Sequence, residues 1–160
     1  MRTSRYYVTA AVLDGKIYAV GGYNDSRGSG ALRSCERYDP AADAWEPVPD
    51  MAAGRSGKPA AAVLDGKLWV AGGYDGRCTL ASVEVFDPAS NTWDATKAAM
   101  TTGRYDHALA VLGGELHAVG GQWGQTSVEK YDPRADSWSV VPGMALPEGR
   151  TGRTAAVLMR

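Results

Sequence analysis

Glutamate and histidine are the side chains of this sequence whose types and spacing could do chemistry. Glu36, Glu84 and Glu129 each lie two residues after a serine, and carboxylates can serve as general acids or bases. They recur at one position of a repeated sequence, however, which indicates a structural interaction made once per copy rather than a single active site. His107 and His117 have no cysteine or carboxylate cluster at ligand spacing, so we expect neither a metal site nor a cofactor.

A repeated sequence accounts for almost the whole chain, and repeats of this length determine the fold. The segment at 12–22 returns in similar form at 63–73 and at 111–121, each time ending in two glycines. Downstream, each copy has Tyr-Asp-Pro or Phe-Asp-Pro, and a tryptophan lies five residues after the proline. A fourth copy begins but stops before its Asp-Gly. Every copy opens at an arginine, namely Arg5, Arg55, Arg104 and Arg150.

Each copy is expected to form four short strands, here called A to D. The Asp-Gly pair at 14–15 predicts a two-residue hairpin between strands A and B, because a type I′ turn needs positive φ at both central residues. Strands A and B are apolar on both faces, so a sheet built from them must be covered on both sides. A radial stack of blades provides this cover. No helix-length amphipathic stretch lies between the strands.

This pattern resembles the kelch repeat, whose marks are the double glycine that ends strand B, the Tyr-Asp-Pro and the tryptophan that follows it. The resemblance extends from Arg5 to Leu158. It implies an all-β fold, a partial kelch-type β-propeller of three four-stranded blades plus one extra strand. We predict blades at 5–51, 55–100 and 104–144, and the first strand of a further blade at 150–159.

Three blades do not close a ring, since propellers have about 4–8 blades. The open flanks would expose apolar faces, which soluble monomers avoid. Two explanations stay open: further blades follow in a longer chain, which we favour, or a second copy associates to complete the ring. Because the first blade already has its own strand A after Arg5, a dimer of halves would carry two surplus strands.

Charge and composition argue against several classes of partner. The chain has 17 basic and 18 acidic residues, a formal net charge of −1, and no basic stripe interleaved with aromatics, which disfavours nucleic acid. No apolar run approaches the roughly 20 residues of a membrane span, so we expect no membrane partner. Cys35 replaces a valine of the other copies and Cys78 lies in a variable loop. Two such cysteines fit a reducing, cytoplasmic compartment.

The resemblance also implies where a partner would bind. In kelch-like substrate adaptors, peptide pockets use the residue after the double glycine, the serine before strand C and the arginine that opens strand A. Arginine pairs bidentately with carboxylates, so such a ring would suit a protein or an acidic peptide; alternatively, the arginines only bond to neighbouring loops. The predicted partner-binding residues, with two from the variable B–C loops, are Tyr23, Ser34, Arg55, Tyr74, Arg77, Ser82, Arg104, Trp123, Ser127 and Arg150.

The predicted function is a non-catalytic protein-interaction scaffold, resembling the substrate adaptors of cullin-RING ubiquitin ligases. It would bind partners through the B–C loops and through the D–A connections between blades. Two alternatives stay open: a kelch protein that binds actin or another cytoskeletal surface, and a kelch-fold enzyme such as a sugar isomerase or an oxidase. The loops offer mainly Arg, Ser and Tyr without an obvious general base, which favours binding over catalysis.

Overall fold

The computed structural model describes residues 1–25 and 30–149, and in this part of the chain it contains strands and turns. The strands form three four-stranded antiparallel sheets in chain order, here called blades 1, 2 and 3. Within the described ranges, no helix is long and apolar enough to cross a membrane. The strands of blade 1 are β1 (Thr9–Leu13), β2 (Lys16–Val20), β3 (Cys35–Asp39) and β4 (Ala44–Val48). Those of blade 2 are β5 (Ala60–Leu64), β6 (Lys67–Ala71), β7 (Val83–Asp87) and β8 (Thr92–Asp94). Those of blade 3 are β9 (Ala108–Leu112), β10 (Glu115–Val119), β11 (Val128–Asp132) and β12 (Ser137–Val140).

The first two strands of each blade are joined by the tight turn that the sequence predicts. The Asp14–Gly15 pair has φ values of 51° and 71°, and the Asp65–Gly66 pair has 52° and 68°. Two consecutive residues with positive φ match a type I′ turn, whose twist fits that of paired strands. In blade 3 the Gly113–Gly114 pair takes the same place, with 61° and 80°. The predicted hairpins are therefore confirmed.

Two apolar layers hold the blades together. The layer between blades 1 and 2 contains Tyr18 and Phe86, whose ring centroids lie 5.7 Å apart. The layer between blades 2 and 3 contains Trp69 and Tyr131, 5.0 Å apart. Blade 2 contributes to both layers, so both faces of its sheet are covered, as its apolar strands predicted. Apolar burial of this kind, at about 25 cal/mol per Å², is the main force between blades.

The tryptophan of the fourth strand packs in the same way in every blade. It lies directly across from the aromatic residue of the third strand, with ring centroids 5.2 to 5.4 Å apart. The indole N–H of Trp93 donates to Pro49 O at 2.8 Å, and that of Trp138 donates to Ala98 O at 3.1 Å. Both acceptors belong to the segment that leaves the preceding blade, so Trp93 and Trp138 each bond to the blade before their own. The pairs are Tyr38–Trp45, Phe86–Trp93 and Tyr131–Trp138.

The all-β, partial propeller predicted from the repeats is confirmed. The three sheets fall inside the ranges predicted for the blades, 5–51, 55–100 and 104–144. The further strand predicted at 150–159, with Arg150 at its start, lies outside the described residues and stays a prediction.

The outer faces of blades 1 and 3 are apolar and open. On blade 1, Val12 is 64% exposed and Ile17 is 41% exposed, whereas Leu68, the equivalent of Ile17 in blade 2, is fully buried. On blade 3, Leu112 is 61% exposed, whereas its equivalent Leu64 is 7% exposed. Each open face is thus the counterpart of a face that is covered between blades. Because the blades repeat, the open face of blade 1 and the open face of blade 3 correspond to two faces that pack against each other elsewhere in the chain.

We expect the 160-residue polypeptide on its own to self-associate, because an open apolar sheet face favours association. Changing Val12 and Leu112 to lysine should lower the apparent mass measured by light scattering and shift the melting temperature by less than about 3 °C. Leu64→Lys is the matched control, since the same strand position is buried there, and it should unfold the chain. A wild-type polypeptide that is monomeric and melts cooperatively would contradict this expectation.

Candidate functional site at the blade mouth

A buried arginine precedes the first strand of each blade. The side chain of Arg55 has no exposed surface, and its five N–H donors are all used within the chain. Its Nη1 donates to the carbonyl oxygens of Gly72 and Ser82 at 2.8 and 3.0 Å. Its Nη2 donates to Ser82 Oγ and Glu84 Oε1 at 3.0 and 2.9 Å, and its Nε donates to the same carboxylate oxygen at 3.3 Å. No donor of Arg55 is left for a ligand.

The same network recurs in the other two blades. In each copy the arginine bonds to the first of the two glycines, to the serine before the third strand and to the glutamate of that strand. The pair formed by Arg104 and Glu129 is fully buried, with Nη2 and Oε1 2.8 Å apart. The other sets are Arg5 with Gly21, Ser34 and Glu36, and Arg104 with Gly120, Ser127 and Glu129.

The glutamate also holds the chain that leads into its blade. Glu84 accepts the backbone N–H groups of Ala52–Ala53 at 2.7 and 3.1 Å, and Glu129 accepts those of Thr101–Thr102 at 2.6 and 3.2 Å. Burial raises the pKa of Glu129, but hydrogen bonds from Arg104 and from Thr101 outweigh it and hold the pKa below the ordinary 4.5. The glutamates are therefore structural carboxylates, as their recurrence in the sequence predicted.

The opening arginines join consecutive blades through their backbone. Arg55 N donates to Leu32 O at 3.0 Å, and Arg55 O accepts from Gly22 N at 2.8 Å, so both partners lie in blade 1. A Cβ on Gly21 would come within 2.4 Å of Arg55 O, and Gly21 has a φ of +63°. Only glycine fits there, which explains the double glycine. Arg55 and Arg104 thus each bind their own blade with the side chain and the preceding blade with the backbone.

These contacts favour the structural interpretation of the arginine ring. A guanidinium that holds an acidic peptide needs free N–H donors, and the donors of these arginines are bonded within the chain. Their role is to hold neighbouring loops together, which was the alternative left open by the sequence. Arg150 lies outside the described residues. The predicted partner-binding residues that the structure places in this frame are Ser34, Arg55, Ser82, Arg104 and Ser127.

Changing Glu129 to glutamine should destabilise the chain strongly, because it leaves the Arg104 charge buried without its partner. The expected loss is about 3–5 kcal/mol in the free energy of unfolding, measured by urea denaturation. The matched control is Glu115→Gln, which breaks the exposed ion pair with Lys130 in the same blade and should cost less than about 1 kcal/mol. Equal losses in the two variants would contradict a structural role for the buried pair.

The difference in stability between wild type and Glu129→Gln should depend on pH. The folded-state pKa of Glu129 is lowered from 4.5, so its charged form stabilises the fold above about pH 4.5, and this contribution is lost as the pH falls through the folded pKa. Glu129→Gln has no such group. The difference in melting temperature between wild type and Glu129→Gln should therefore be largest near neutral pH and shrink in acid. A difference that is constant with pH would contradict this assignment.

Four tyrosine side chains, one exposed and three half-buried, gather where the B–C loops meet the segments that follow the opening arginines. Two adjoining depressions of about 260 and 240 Å³ lie there and share Tyr7, Gly57 and Tyr105. The rings of Tyr74 and Tyr105 are 6.3 Å apart at an angle of 50°. We call this surface the tyrosine groove; its residues are Tyr7, Tyr23, Ser56, Gly57, Lys58, Tyr74, Tyr105, Asp106 and Gln122.

Backbone hydrogen bonds set the position of the groove. Ser56 N donates to Tyr74 O at 2.8 Å, and Tyr74 N donates to Ser56 O at 2.9 Å. Tyr6 and Tyr23 pair in the same way in blade 1, at 2.9 and 2.7 Å. The residue after the double glycine is therefore tied to the residue after the opening arginine. Because both residues of each pair are held by the frame, the backbone from which the rings of Tyr23 and Tyr74 project is fixed by hydrogen bonds.

One residue of each blade adopts the left-handed conformation at this edge. Tyr7, Lys58 and Asp106 have φ values of 52°, 53° and 53°, a conformation that costs a non-glycine residue roughly 1–2 kcal/mol. Lys58 N donates to Tyr7 O at 3.2 Å, and Asp106 N donates to Lys58 O at 3.1 Å. These hydrogen bonds between blades hold the strained backbone, and all three side chains line the groove.

The two charged side chains that line the groove, those of Lys58 and Asp106, compensate each other, whereas Asp25 and Asp75 lie outside the lining. Lys58 Nζ lies 3.2 Å from Asp106 Oδ1, an ion pair without hydrogen-bond alignment. Asp75 accepts the backbone N–H groups of Cys78 and Arg77, each at 2.8 Å, and these bonds lower the pKa of its carboxyl group. The groove is therefore lined by aromatic rings with little net charge.

The structure separates the predicted partner-binding residues into two groups. Tyr23 and Tyr74 lie in the groove. Arg77 lies on the exposed B–C loop of blade 2, and Trp123, on that of blade 3, is 85% exposed with a φ of 64°. Partner binding by these residues stays a prediction.

Several groove residues were missed by the sequence analysis. They follow the opening arginine directly, as Tyr6-Tyr7, Ser56-Gly57-Lys58 and Tyr105-Asp106. The sequence signal that could have found them is their variability, because these short segments differ in every copy although the residues on both sides repeat. The predicted site was drawn mainly from repeated positions and therefore left them out. The missed residues are Tyr7, Lys58, Tyr105 and Asp106.

The histidines form no catalytic or metal cluster in the part of the chain that the structure describes. His107 is 3% exposed, and burial, with the charge of Arg104, lowers its pKa to about 3, so the ring is neutral. His117 is also buried, with Nδ1 3.2 Å from Glu115 O. Among residues 1–25 and 30–149, no three His, Cys, Asp or Glu side chains come together as metal ligands.

Three four-stranded blades that pack face to face define this part of the chain as a β-propeller segment. The Kelch motif matches at residues 4–52, 58–95 and 103–145, one match for each blade. Because these matches cover most of the sequence, the chain belongs to the Kelch family.

The chain is similar to several larger proteins over short stretches. It is 46% identical over 48 residues to an F-box/kelch-repeat protein of Arabidopsis thaliana, covering 30% of this chain and 14% of that protein. It is 39% identical over 82 residues to Kelch-like protein 23 of Homo sapiens, covering 49% of this chain and 14% of that protein. The solved structure of YjhT has a TM-score of 0.76 at 18% identity, covering 92% of this chain and 55% of YjhT. The chain thus matches about a seventh of these two relatives and about half of YjhT.

Proposed function

We propose that this chain is part of a protein-interaction scaffold and that the partner binds at the tyrosine groove. The observation that carries the proposal is the collection of four tyrosine side chains at one mouth of a rigid frame. Tyrosine supplies a large contact area and a polar tip at low cost in side-chain entropy, which is why it is enriched in binding surfaces.

The distribution of sequence variation supports this location. Repeated residues build the frame, whereas the groove combines the recurring Tyr23 and Tyr74 with segments that differ between copies, at 6–7, 56–58 and 105–106. Variable loops on a constant scaffold are where recognition usually lies. Trp123 stands on a third variable loop, and an indole that is 85% exposed is well suited to become a buried anchor on binding.

The finer assignment is a substrate adaptor of a cullin-RING ubiquitin ligase. It is supported by the names of the relatives, an F-box/kelch-repeat protein and Kelch-like protein 23, each far longer than the matched stretch. The alternatives are a scaffold that binds the cytoskeleton and a kelch-fold enzyme. A cytoplasmic location is supported by two free cysteines, of which Cys35 is buried with a pKa raised to about 12 by burial.

The proposal predicts that peptides selected on the protein depend on the groove. A random-peptide phage library is selected on the immobilised chain, and the affinities of the selected peptides are measured by fluorescence anisotropy. Changing Tyr74 and Tyr105 to alanine should weaken their binding about 30-fold, because both rings lose their contact area. Tyr6→Ala is the matched control, since Tyr6 is 62% exposed at the same mouth but does not line the groove.

Two outcomes reject the proposal. One is a library that yields no specific peptide; the other is a set of peptides whose affinity is the same for wild type and for the double variant. Thermal melting of each variant shows whether the fold is retained. Co-sedimentation with actin filaments that depends on the same two tyrosines would favour the cytoskeletal scaffold over the ubiquitin-ligase adaptor.

A further inference from the structure

The tyrosine groove offers hydrogen-bond donors that have no acceptor of their own. Among the described residues, the hydroxyl groups of Tyr7, Tyr74 and Tyr105 make no hydrogen bond, whereas Tyr23 bonds to Asp25, which raises the pKa of Tyr23. A ligand that fits these groups brings carbonyl oxygens, because a phenol is a good donor to a carbonyl.

The charges of the groove disfavour a charged ligand. Arg5, Arg55 and Arg104 are buried and fully bonded, so these three arginines provide no cation for an acidic segment. Lys58 and Asp106 lie 3.2 Å apart and compensate each other. At the lining itself, a segment rich in acidic or basic residues would lose hydration without gaining an unpaired partner; the carboxylate of Asp25, outside the lining, already accepts from Tyr23. The matching ligand is uncharged where it touches the groove.

The shape of the groove favours an extended segment. The two depressions lie side by side and share Tyr7, Gly57 and Tyr105, so neighbouring ligand side chains can enter them in succession. The aromatic walls are tilted, with an angle of 50° between Tyr74 and Tyr105. Aromatic grooves of this kind accept proline rings, and the polyproline II helix presents its carbonyl oxygens outward with no internal hydrogen bonds.

From these observations we infer that the partner segment is an uncharged, proline-rich polyproline II helix. Its prolines pack on Tyr7, Tyr74 and Tyr105, and its carbonyl oxygens accept hydrogen bonds from the tyrosine hydroxyl groups. Proline has no backbone N–H, so its carbonyl oxygens can accept hydrogen bonds from these hydroxyl groups while the ligand brings no backbone donor that would itself need a partner. The inference rests on the proposed function, since it names the chemistry of the partner at the same groove.

The inference is tested with the peptides selected above and with a fluorescein-labelled oligoproline. The groove-dependent peptides should be enriched in proline and poor in charge, and the oligoproline should bind the wild-type chain. Because no ion pair is involved, its affinity should change less than about twofold between low and high salt. Oligoglutamate and oligolysine of the same length should not bind.

Conservative variants separate the hydroxyl groups from the rings. Changing Tyr74 and Tyr105 to phenylalanine keeps the rings and should weaken oligoproline binding about tenfold, the effect of two lost hydrogen bonds. Tyr6→Phe is the matched control and should have no effect. Thermal melting is expected to be unchanged in all three proteins, since the hydroxyl groups bond to nothing within the described residues.

The results distinguish this inference from the proposed function. If the groove-dependent peptides are acidic, basic or free of proline, or if the phenylalanine variant binds oligoproline as tightly as wild type, the inference is overturned and the scaffold proposal stands. If no selected peptide depends on the groove, the scaffold proposal itself fails.

Discussion

The buried pair of arginine and glutamate is the interaction on which the rest of this structure depends. A guanidinium without solvent contact has to bond all its donors inside the protein, because each unpaired donor would cost free energy. In this chain one arginine per blade does so with a glycine, a serine and a glutamate of its own blade, and the backbones of Arg55 and Arg104 bond to the blade before. The geometry permits one arrangement of the two blades, so the pair specifies alignment more than it adds stability.

The repeated sequence therefore contains a joint as well as a blade. Strand pairing and apolar layers would tolerate some sliding between sheets, since apolar contact is not directional. Arg55 prevents such sliding because it bonds to both blades. Its backbone bonds to Gly22 and Leu32 of one blade. Its side chain bonds to Gly72 and Glu84 of the next. The variable segments at the mouth can then differ in each copy without disturbing the alignment.

Most of the fold could be predicted from the sequence, because its determinants repeat. The Asp-Gly turns, the double glycine and the tryptophans occupy fixed positions, and each has a local physical reason that the structure bears out. The role of Arg55 was harder to assign, since residue type and spacing do not show whether a guanidinium faces solvent or a carboxylate 29 residues away. The joint recurrence of arginine, serine and glutamate in each copy was the sequence signal for that pairing.

The candidate site was less predictable for the opposite reason. Tyr23 and Tyr74 follow the double glycine and were found from the repeat, whereas Tyr7 has no aromatic counterpart and Tyr105 shares its repeat position only with Tyr6. A backbone position with positive φ is usually recognised in a sequence because it is occupied by glycine. Here Tyr7 and Lys58 adopt it, and the hydrogen bonds that hold them there come from another blade, so no local sequence pattern records the conformation.

The three left-handed residues at the mouth have the same backbone conformation although their side chains differ. An aromatic, a basic and an acidic side chain, those of Tyr7, Lys58 and Asp106, have almost the same φ. Hydrogen bonds between neighbouring blades hold this backbone for three different side chains. Under the proposed function, exchanging one of these side chains would alter what the groove binds while the scaffold keeps its shape. A family built in this way can diversify its ligands one blade at a time, and a protein engineer can recode the same three positions independently.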